Sequence, residues 1–383
     1  MTIAVISMIR DNWGGSEELW AAMAQEALKQ KYKVLHLLYE TKNIHPKTQS
    51  LIDRGLIIYS RPSYRETSSD RVMQFVGKSV NFLRKKLNIS LKKIFNQNPD
   101  IIIYNGTCYS IAEEKALLNE LKKANIPFYI IGHFNDERGR GGISEYQSQI
   151  INSAYNRCNK VMFVSERSLQ NAKRQLATNI PNAIIIRNPV NLSFTSIIPY
   201  PANPQKQMAM VGNLRVIHKG QDMVLEILSS NEWKQRNWNL NIYGSGEDEK
   251  YLKDLVNHYQ LNDKVTFHGK VNDIRAVWEK NHILLMPSHM EGMPLAVVEA
   301  MICGRPCVGT DVGGIAEWME ENKSGFIAEA PTVVSFGKAM EKAWSCLKDW
   351  ETIGRNAHER AMQLYDPEPG KTLLKLIIES ISS

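Results

Sequence analysis

Short apolar runs and longer mixed stretches alternate along this chain almost from its first residue. In the first half the runs Ile3–Met8, Lys33–Leu38, Leu56–Tyr59, Ile101–Tyr104, Phe128–Gly132, Val161–Val164 and Ala183–Ile186 predict strands. Several are continuous and β-branched, which is how a parallel strand reads when both faces of its sheet are covered. The stretches between them carry helical patterning, so successive strands are expected to be joined by helices in right-handed βαβ units. Ser16 is placed to cap one such helix, with Glu17 and Glu18 in its first turn, where the helix dipole favours carboxylates. The rhythm stops at Asn188–Gln207, which holds Pro189, Pro199, Pro201 and Pro204 and predicts a linker. It restarts with strands at Met208–Val211, Leu240–Tyr243, Lys264–Phe267, Ile283–Met286, Pro306–Val308 and Gly325–Ile327. Helices are predicted at Asp222–Ser229, Glu247–Tyr259, Asp273–Lys280, Pro294–Ile302, Thr332–Leu347 and, in the tail, Gly370–Ile381.

With 383 residues the chain is too long for one ordinary core. We expect an α/β protein of two doubly wound, Rossmann-like domains, 1–195 and 196–383, with the final helix, 370–383, able to pack back on the first. If the carboxyl ends of the two sets of strands face each other, the cleft between the domains is where a ligand binds. The opening run has no basic residues before its apolar stretch and is too short to span a membrane, so it reads as a strand. Five cysteines are an odd, sparse set that argues against a disulfide framework and for a cytoplasmic location. Cys303 and Cys307 have no second Cys/His pair at zinc spacing and read as core thiols.

Charge separates the halves. Residues 1–195 hold 27 Lys/Arg against 16 Asp/Glu, and residues 196–383 hold 20 against 24, so +11 stands beside −4. A basic first half suits an anionic membrane surface, an acidic acceptor or nucleic acid, or is simply a solvated surface. The stretch from Phe82 to Phe95, with Arg84, Lys85, Lys86, Lys92 and Lys93 among apolar residues, reads as an amphipathic helix facing the core or a membrane surface.

The most informative segment runs from Pro287 to Met301, Pro-Ser-His-Met-Glu-Gly-Met-Pro-Leu-Ala-Val-Val-Glu-Ala-Met, directly after a strand. Pro294 suits a helix's first turn, where a missing N–H costs nothing. The amides of Leu295 and Ala296 then point out of the helix start, ready for an anion such as pyrophosphate. Gly292 allows a ligand close to the backbone. Glu291 and Glu299 each suit a vicinal diol, since a carboxylate accepts two hydroxyl hydrogen bonds at once. The neighbours of Glu299 are small or apolar, so a carboxylate there needs a partner.

Two glutamates separated by seven residues, in the frame Pro-Ser-x-x-Glu-Gly-x-Pro closed by Glu-Ala-Met, resemble the donor-site signature of family-4 retaining glycosyltransferases of GT-B fold (glycosyl transferases group 1). Gly14-Gly15-Ser16-Glu17 is similar to the family's glycine-rich loop. Gly212-Asn213-Leu214 with His218-Lys219-Gly220 is similar to its Gly-Arg-Leu…Lys-Gly segment. Val312-Gly313-Gly314-Ile315-Ala316-Glu317 with Gly325-Phe326 is similar to its Gly-Gly-x-x-Glu…Gly-Phe, and Asn188-Pro189-Val190 stands where it has Asn-Gly-Val.

The resemblance implies two facing Rossmann-like domains and transfer of a sugar from a nucleoside-diphosphate sugar, with retention at the anomeric carbon. The acceptor is a glycan, a lipid-linked saccharide or a small molecule. Glu291, Lys219 and His133 are the implied catalytic residues. Glu291 holds donor-sugar hydroxyls, Lys219 neutralises the diphosphate, and His133 lies near the transferred sugar. Glu299 holds the ribose and Gly15 lets backbone amides approach the ligand; Gly292, Met293, Leu295 and Ala296 complete the donor site. Where the family has a clamping arginine this chain has Asn213, with Arg215 two residues on, and either can complete the clamp. No Asp-x-Asp occurs, so no metal or other cofactor is expected. Partners are then the nucleotide-sugar and the acceptor, with peripheral contact to an anionic membrane and no nucleic acid. Gly244-Ser245-Gly246 is half of a dinucleotide fingerprint, but its third glycine would fall at Glu249. Rival readings are a sugar-nucleotide epimerase of the same fold, which needs no acceptor, and a non-catalytic protein binding an anionic surface.

Overall fold

The computed structural model describes residues 1–9, 13–41, 43–61 and 89–382. The chain divides into two compact units. The first comprises Met1–Val164, Ser168–Pro189 and Asp366–Ser383, and the second Ser165–Arg167 and Val190–Tyr365.

Seven parallel strands build the sheet of the first unit: β1 (Thr2–Ser7), β2 (Lys33–Tyr39), β3 (Ile57–Arg61), β4 (Ile101–Gly106), β5 (Phe128–Gly132), β6 (Lys160–Phe163) and β7 (Ala183–Ile185). Their order is β3-β2-β1-β4-β5-β6-β7, so the winding reverses between β1 and β4. The unbroken apolar runs follow from this placement. Ala4, Ile6, Leu35, Ile102 and Ile130 enter one buried cluster, while Ile3, Val5, Val34, Ile101 and Ile131 enter another. Alternate residues of a strand face opposite sides of a sheet, so both faces are covered. Each of these Val, Leu and Ile side chains contributes about 1.5–3 kcal/mol of burial.

The second unit repeats the plan with β8 (Lys206–Val211), β9 (Trp238–Tyr243), β10 (Val265–Gly269), β11 (Ile283–Met286), β12 (Cys307–Thr310) and β13 (Phe326–Ala328). Their order is β10-β9-β8-β11-β12-β13, with the reversal between β8 and β11. Met208, Met210, Leu240, Ile242, Ile283, Leu285 and Val308 pack with Trp233, Trp238, Phe336 and Trp350 into one core.

The predicted strands are all present, displaced by a residue or two at their ends, and the other elements differ from the expectation in part. The division falls after Pro189 rather than after residue 195. Just past that point the Asn191 amide donates to Glu299 at 3.0 Å and so ties the stretch before residue 195 to the second unit. The helix Pro369–Ser382 counts with the first unit, where Leu373, Leu374 and Ile377 join Leu19 and Trp20 in the core. Ser16 does not cap the helix Glu18–Lys29. It sits inside a 3-10 turn, Gly15–Glu17, and Glu17 turns its carboxylate into the protein. A helix at Trp350–Leu364, which the sequence did not predict, follows the helix Val333–Ser345.

Cys303 and Cys307 are buried thiols, and none of the five cysteines is paired. Of the amphipathic stretch, Ile89–Phe95 is helical with Leu91 and Ile94 in the core; residues 82–88 lie outside the described ones. Among the described residues no helix is long and apolar enough to cross a membrane.

Candidate donor site and first-unit polar network

Open α/β sheets bind ligands beyond the carboxyl ends of their strands, where the strand order reverses. In the second unit that point lies between β8 and β11, and the expected donor residues occupy the loops that follow these strands. The loop after β8 carries Asn213 and Arg215 and coils into the short helix Val216–Lys219. The loop after β11 carries Ser288, Glu291, Gly292 and Met293 into the helix Leu295–Ile302.

Backbone contacts that only glycine permits lock these loops together. Gly220 has φ +61°, and a Cβ there would stand 2.3 Å from the Pro287 carbonyl oxygen. The amides of His289 and Met290 donate to the His218 carbonyl at 2.8 and 3.2 Å. Gly313, in the loop after β12, has φ +51°, and a Cβ there would stand 2.0 Å from the Glu291 carbonyl oxygen. Gly314 donates its N–H to the Gly292 carbonyl at 2.8 Å. Gly244 and Gly246 serve the same end. A side chain at either would collide with the Gly212 or Leu214 carbonyl, at 1.8 and 2.2 Å. The pair is therefore a packing device for the loop after β8.

On this frame the side chains converge. Lys219 Nζ forms an ion pair with Glu291 Oε1, which also accepts from Ser288 Oγ at 2.9 Å. Thr310 Oγ1 in turn donates to the Ser288 carbonyl at 2.6 Å. The Glu291 side chain is 8% exposed and that of Lys219 23%, so the pair is shielded but open at the lysine. Beside it, burial and the cations Arg215 and Lys219 lower the pKa of His218, which leaves positive charge here to the lysine and the arginine. Arg215 is held by Glu247 at 2.7 Å, on a surface where such a pair is worth about 0–1 kcal/mol. Asn213 Oδ1 lies where a Cβ on Gly246 would meet it at 2.4 Å.

The helix that follows begins one residue later than expected, with Pro294 at the N-cap and Leu295 first. Its first turn leaves the amides of Leu295 and Ala296 without intrahelical acceptors. Glu299 is 3% exposed and accepts from the Asn191 amide (3.0 Å) and from Asn191 Nδ2 (3.2 Å). The partner that this buried carboxylate required includes a residue of the expected linker.

The two remaining expected residues lie in the first unit. Gly15 opens the 3-10 turn after β1, and its residue is exposed. His133 directly follows β5, is 6% exposed, and has Nε2 2.7 Å from Asn105 Oδ1. Burial pushes it down to about 3. Glu17 belongs to the same network: Ser7 Oγ and Asn105 Nδ2 donate to Oε1 at 2.7 and 2.8 Å, and Trp20 Nε1 to Oε2 at 2.9 Å. Burial raises its carboxyl to about 7 against these hydrogen bonds. The sequence reading passed over Asn105, Ser288 and Thr310. Their signal was a polar residue closing an otherwise apolar strand or standing just beyond one.

Residues 199–360 match the family model of the glycosyl transferases group 1. The chain is 32% identical over 185 residues to an uncharacterized glycosyltransferase of Haemophilus influenzae, covering 48% of this chain and 51% of that protein. It is 30% identical over 162 residues to the N-acetyl-alpha-D-glucosaminyl L-malate synthase of Bacillus anthracis, covering 42% and 40%. These matches span about half or less of the relatives' length. In fold the chain is similar to the Anabaena protein HepE in complex with UDP and glucose, with a TM-score of 0.73 at 17% identity over 100% of this chain and 99% of that one. The fold is that of GT-B glycosyltransferases, and the residues that match the glycosyl transferases group 1 model, 199–360, lie within the second unit.

Proposed function

We propose that the chain is a glycosyltransferase that takes a sugar from a nucleoside-diphosphate sugar and passes it to a glycan, a lipid-linked saccharide or a small molecule. Transfer proceeds with retention and without a metal. The observation that carries this reading is the meeting of Lys219 and Glu291 at the strand-order reversal of the second sheet. A lysine ammonium has three donors, so Lys219 can hold Glu291 and a phosphate oxygen together. It then stabilises charge developing on the leaving diphosphate while fixing the carboxylate that orients the sugar. The amides of Leu295 and Ala296 add donors at a helix start, where negative charge is favoured. Glu299, shielded and held by Asn191, is the carboxylate for the ribose hydroxyls. In a retaining front-face reaction the leaving phosphate takes the acceptor's proton, so no side-chain base is required. The basic first domain suits an acceptor at an anionic membrane.

A thermal-shift screen with UDP, GDP, ADP and their sugars, in excess EDTA, tests this. The HepE complex puts the UDP series first. A ligand at 100 times its dissociation constant adds about 2.7 kcal/mol of stability. One nucleotide series should raise the melting temperature and be turned over with EDTA present. No shift with any series refutes donor binding; turnover abolished by EDTA and restored by manganese refutes the metal-free mechanism.

A further inference from the structure

One half of the second sheet departs from the pattern of the rest. A parallel sheet normally buries both faces, and every residue of β11 and β12 is buried. In β9 the residues alternate instead: Trp238, Leu240 and Ile242 enter the core, while Asn239 and Asn241 between them stay half-buried. Gln205 and Gln207, at the start of β8, stand beside them, and these four amides line an open cleft of about 480 Å³. They are fixed to one another. Gln205 and Asn239 each donate to the other's side-chain oxygen at 3.1 Å. Asn241 Nδ2 donates to Gln207 Oε1 at 3.1 Å and to Asn281 Oδ1 at 2.9 Å, and its Oδ1 lies 2.8 Å from His268 Nε2. The His268 ring, exposed in β10, stacks on Tyr243 with centroids 4.5 Å apart.

This lining recognises by hydrogen bonds rather than by charge. A primary amide has two N–H groups and two oxygen lone pairs. The reciprocal pair uses one of each, so Gln205 and Asn239 each keep a donor and an acceptor in a side chain that is already ordered, which lowers the cost of binding. A sugar hydroxyl is the matching group, since it both donates and accepts. Among the described residues the lining carries one carboxylate, Glu279, which Arg275 holds at 2.7 Å, and one ammonium, Lys280. Burial and that ammonium lower the pKa of His268, so its ring is neutral as well. A phosphate or a polyanion would find too little positive charge here. The amides also recur at every second residue of each strand, about 6.6 Å apart, and so form a row and not a point. A row suits an elongated ligand with repeated hydroxyls, and the second face of the His268 ring suits the C–H face of a sugar.

We propose that this cleft is a second saccharide site, which holds a neutral glycan chain along the face of β8 and β9. It begins at the amino ends of these strands, whereas the donor loops follow the carboxyl ends of β8 and β11. With the transfer proposed above, it would tether a polymeric acceptor between turnovers; the binding itself does not rest on that reading.

Native gels cast with soluble starch, dextran, galactomannan or xyloglucan test this without donor or turnover, so the result is independent of the proposed transfer. At least one of these neutral polymers should retard the protein. Joint replacement by Gln205→Ala and Asn239→Ala removes a whole amide pair, leaves neither partner orphaned, and should weaken binding about tenfold or more, as the loss of one or two hydrogen bonds implies. A melting temperature close to the parent's shows that this variant folds. Where it falls, His268→Ala, at an exposed position, is the second variant and should weaken binding as well. UDP-glucose, which belongs to the donor site, should leave the retardation as it was. No retardation in any of the four gels, whether or not heparin retards the protein, overturns the proposal. So does retardation undiminished in a folded variant, or release by UDP-glucose.

Discussion

Gly313→Ala should damage the donor site from behind, without replacing any residue assigned to the ligand. Two costs arise at this position. At φ +51° an L-residue pays about 1–2 kcal/mol of local strain. The new methyl would also stand 2.0 Å from the Glu291 carbonyl oxygen, whereas real contacts of this kind are not shorter than 3.0 Å. The two loops must therefore part by 3.0 − 2.0, or about 1 Å. Forcing a methyl into packed backbone costs a further 1–3 kcal/mol or so. We expect a total loss of about 2–5 kcal/mol and a fall in kcat of about a hundredfold, since a 1 Å misplacement in an active site has that effect. Gly269→Ala is the control. Its φ is +68°, but nothing lies within 4 Å of the added carbon, so it carries the strain alone. Urea unfolding and initial rates on both variants separate the terms. Equal losses of stability with equal rates would refute the claim that Gly313 exists to let backbone meet backbone under Glu291.

Glu299→Ala should weaken bare nucleoside diphosphate and full donor alike, by about tenfold to a hundredfold, because a hydrogen bond to a charged group is worth about 1.5–3 kcal/mol. Glu291→Ala should leave bare nucleotide affinity nearly unchanged while turnover falls; calorimetric titration of both variants checks this, and equal losses of nucleotide binding refute the division. Acid should destabilise the first unit through its histidines. His36 is fully buried, neither ring nitrogen has a hydrogen-bond partner among the described residues, and burial pushes it to about 3, as it does His133. The unfolded chain binds the proton more readily, so stability present above pH 6.5 is lost as pH falls toward 3, by about 3 kcal/mol per histidine on reaching pH 4.5. Glu17, raised to about 7, acts in the opposite sense and returns about 3 kcal/mol between pH 7 and 4.5. His36→Phe should therefore narrow the gap between urea midpoints at pH 7.5 and 4.5; an unchanged gap refutes it.

The sheets were legible because each strand is an apolar run that serves two buried faces, a pattern that few other structures produce. The donor loops were legible for a different reason. Glu291, Lys219 and Glu299 lie in short segments where glycine, proline and charge recur at fixed offsets. Glu17 was misread because a glutamate after Gly-Gly-Ser looks like a helix-start carboxylate, and nothing local says that Ser7, Trp20 and Asn105 will draw it inward. The helix Trp350–Leu364 was missed because its buried residues, Trp350, Ile353, Gly354, Ala357 and Ala361, include two alanines and a glycine that mark no apolar stripe. Gly354 packs against the Gly304 carbonyl, where a Cβ would stand at 2.1 Å, a contact visible only in three dimensions. The role of Gly244 and Gly246 was hidden in the same way.

The return of residues 366–383 to the first unit has a consequence for how the protein is made. During synthesis the first 189 residues emerge before all of the second unit but Ser165–Arg167, yet Leu373, Leu374 and Ile377 are still unmade. Until they arrive, Leu19, Trp20, Met23 and Ala27 lack part of the surface that covers them. The second unit, nearly continuous in sequence, meets no such delay. The unit begun first is thus completed last, and a released chain ending at residue 365 would hold all of the second unit but leave Leu19, Trp20 and Met23 of the first without their partners from the final helix, apolar surface open to chaperones.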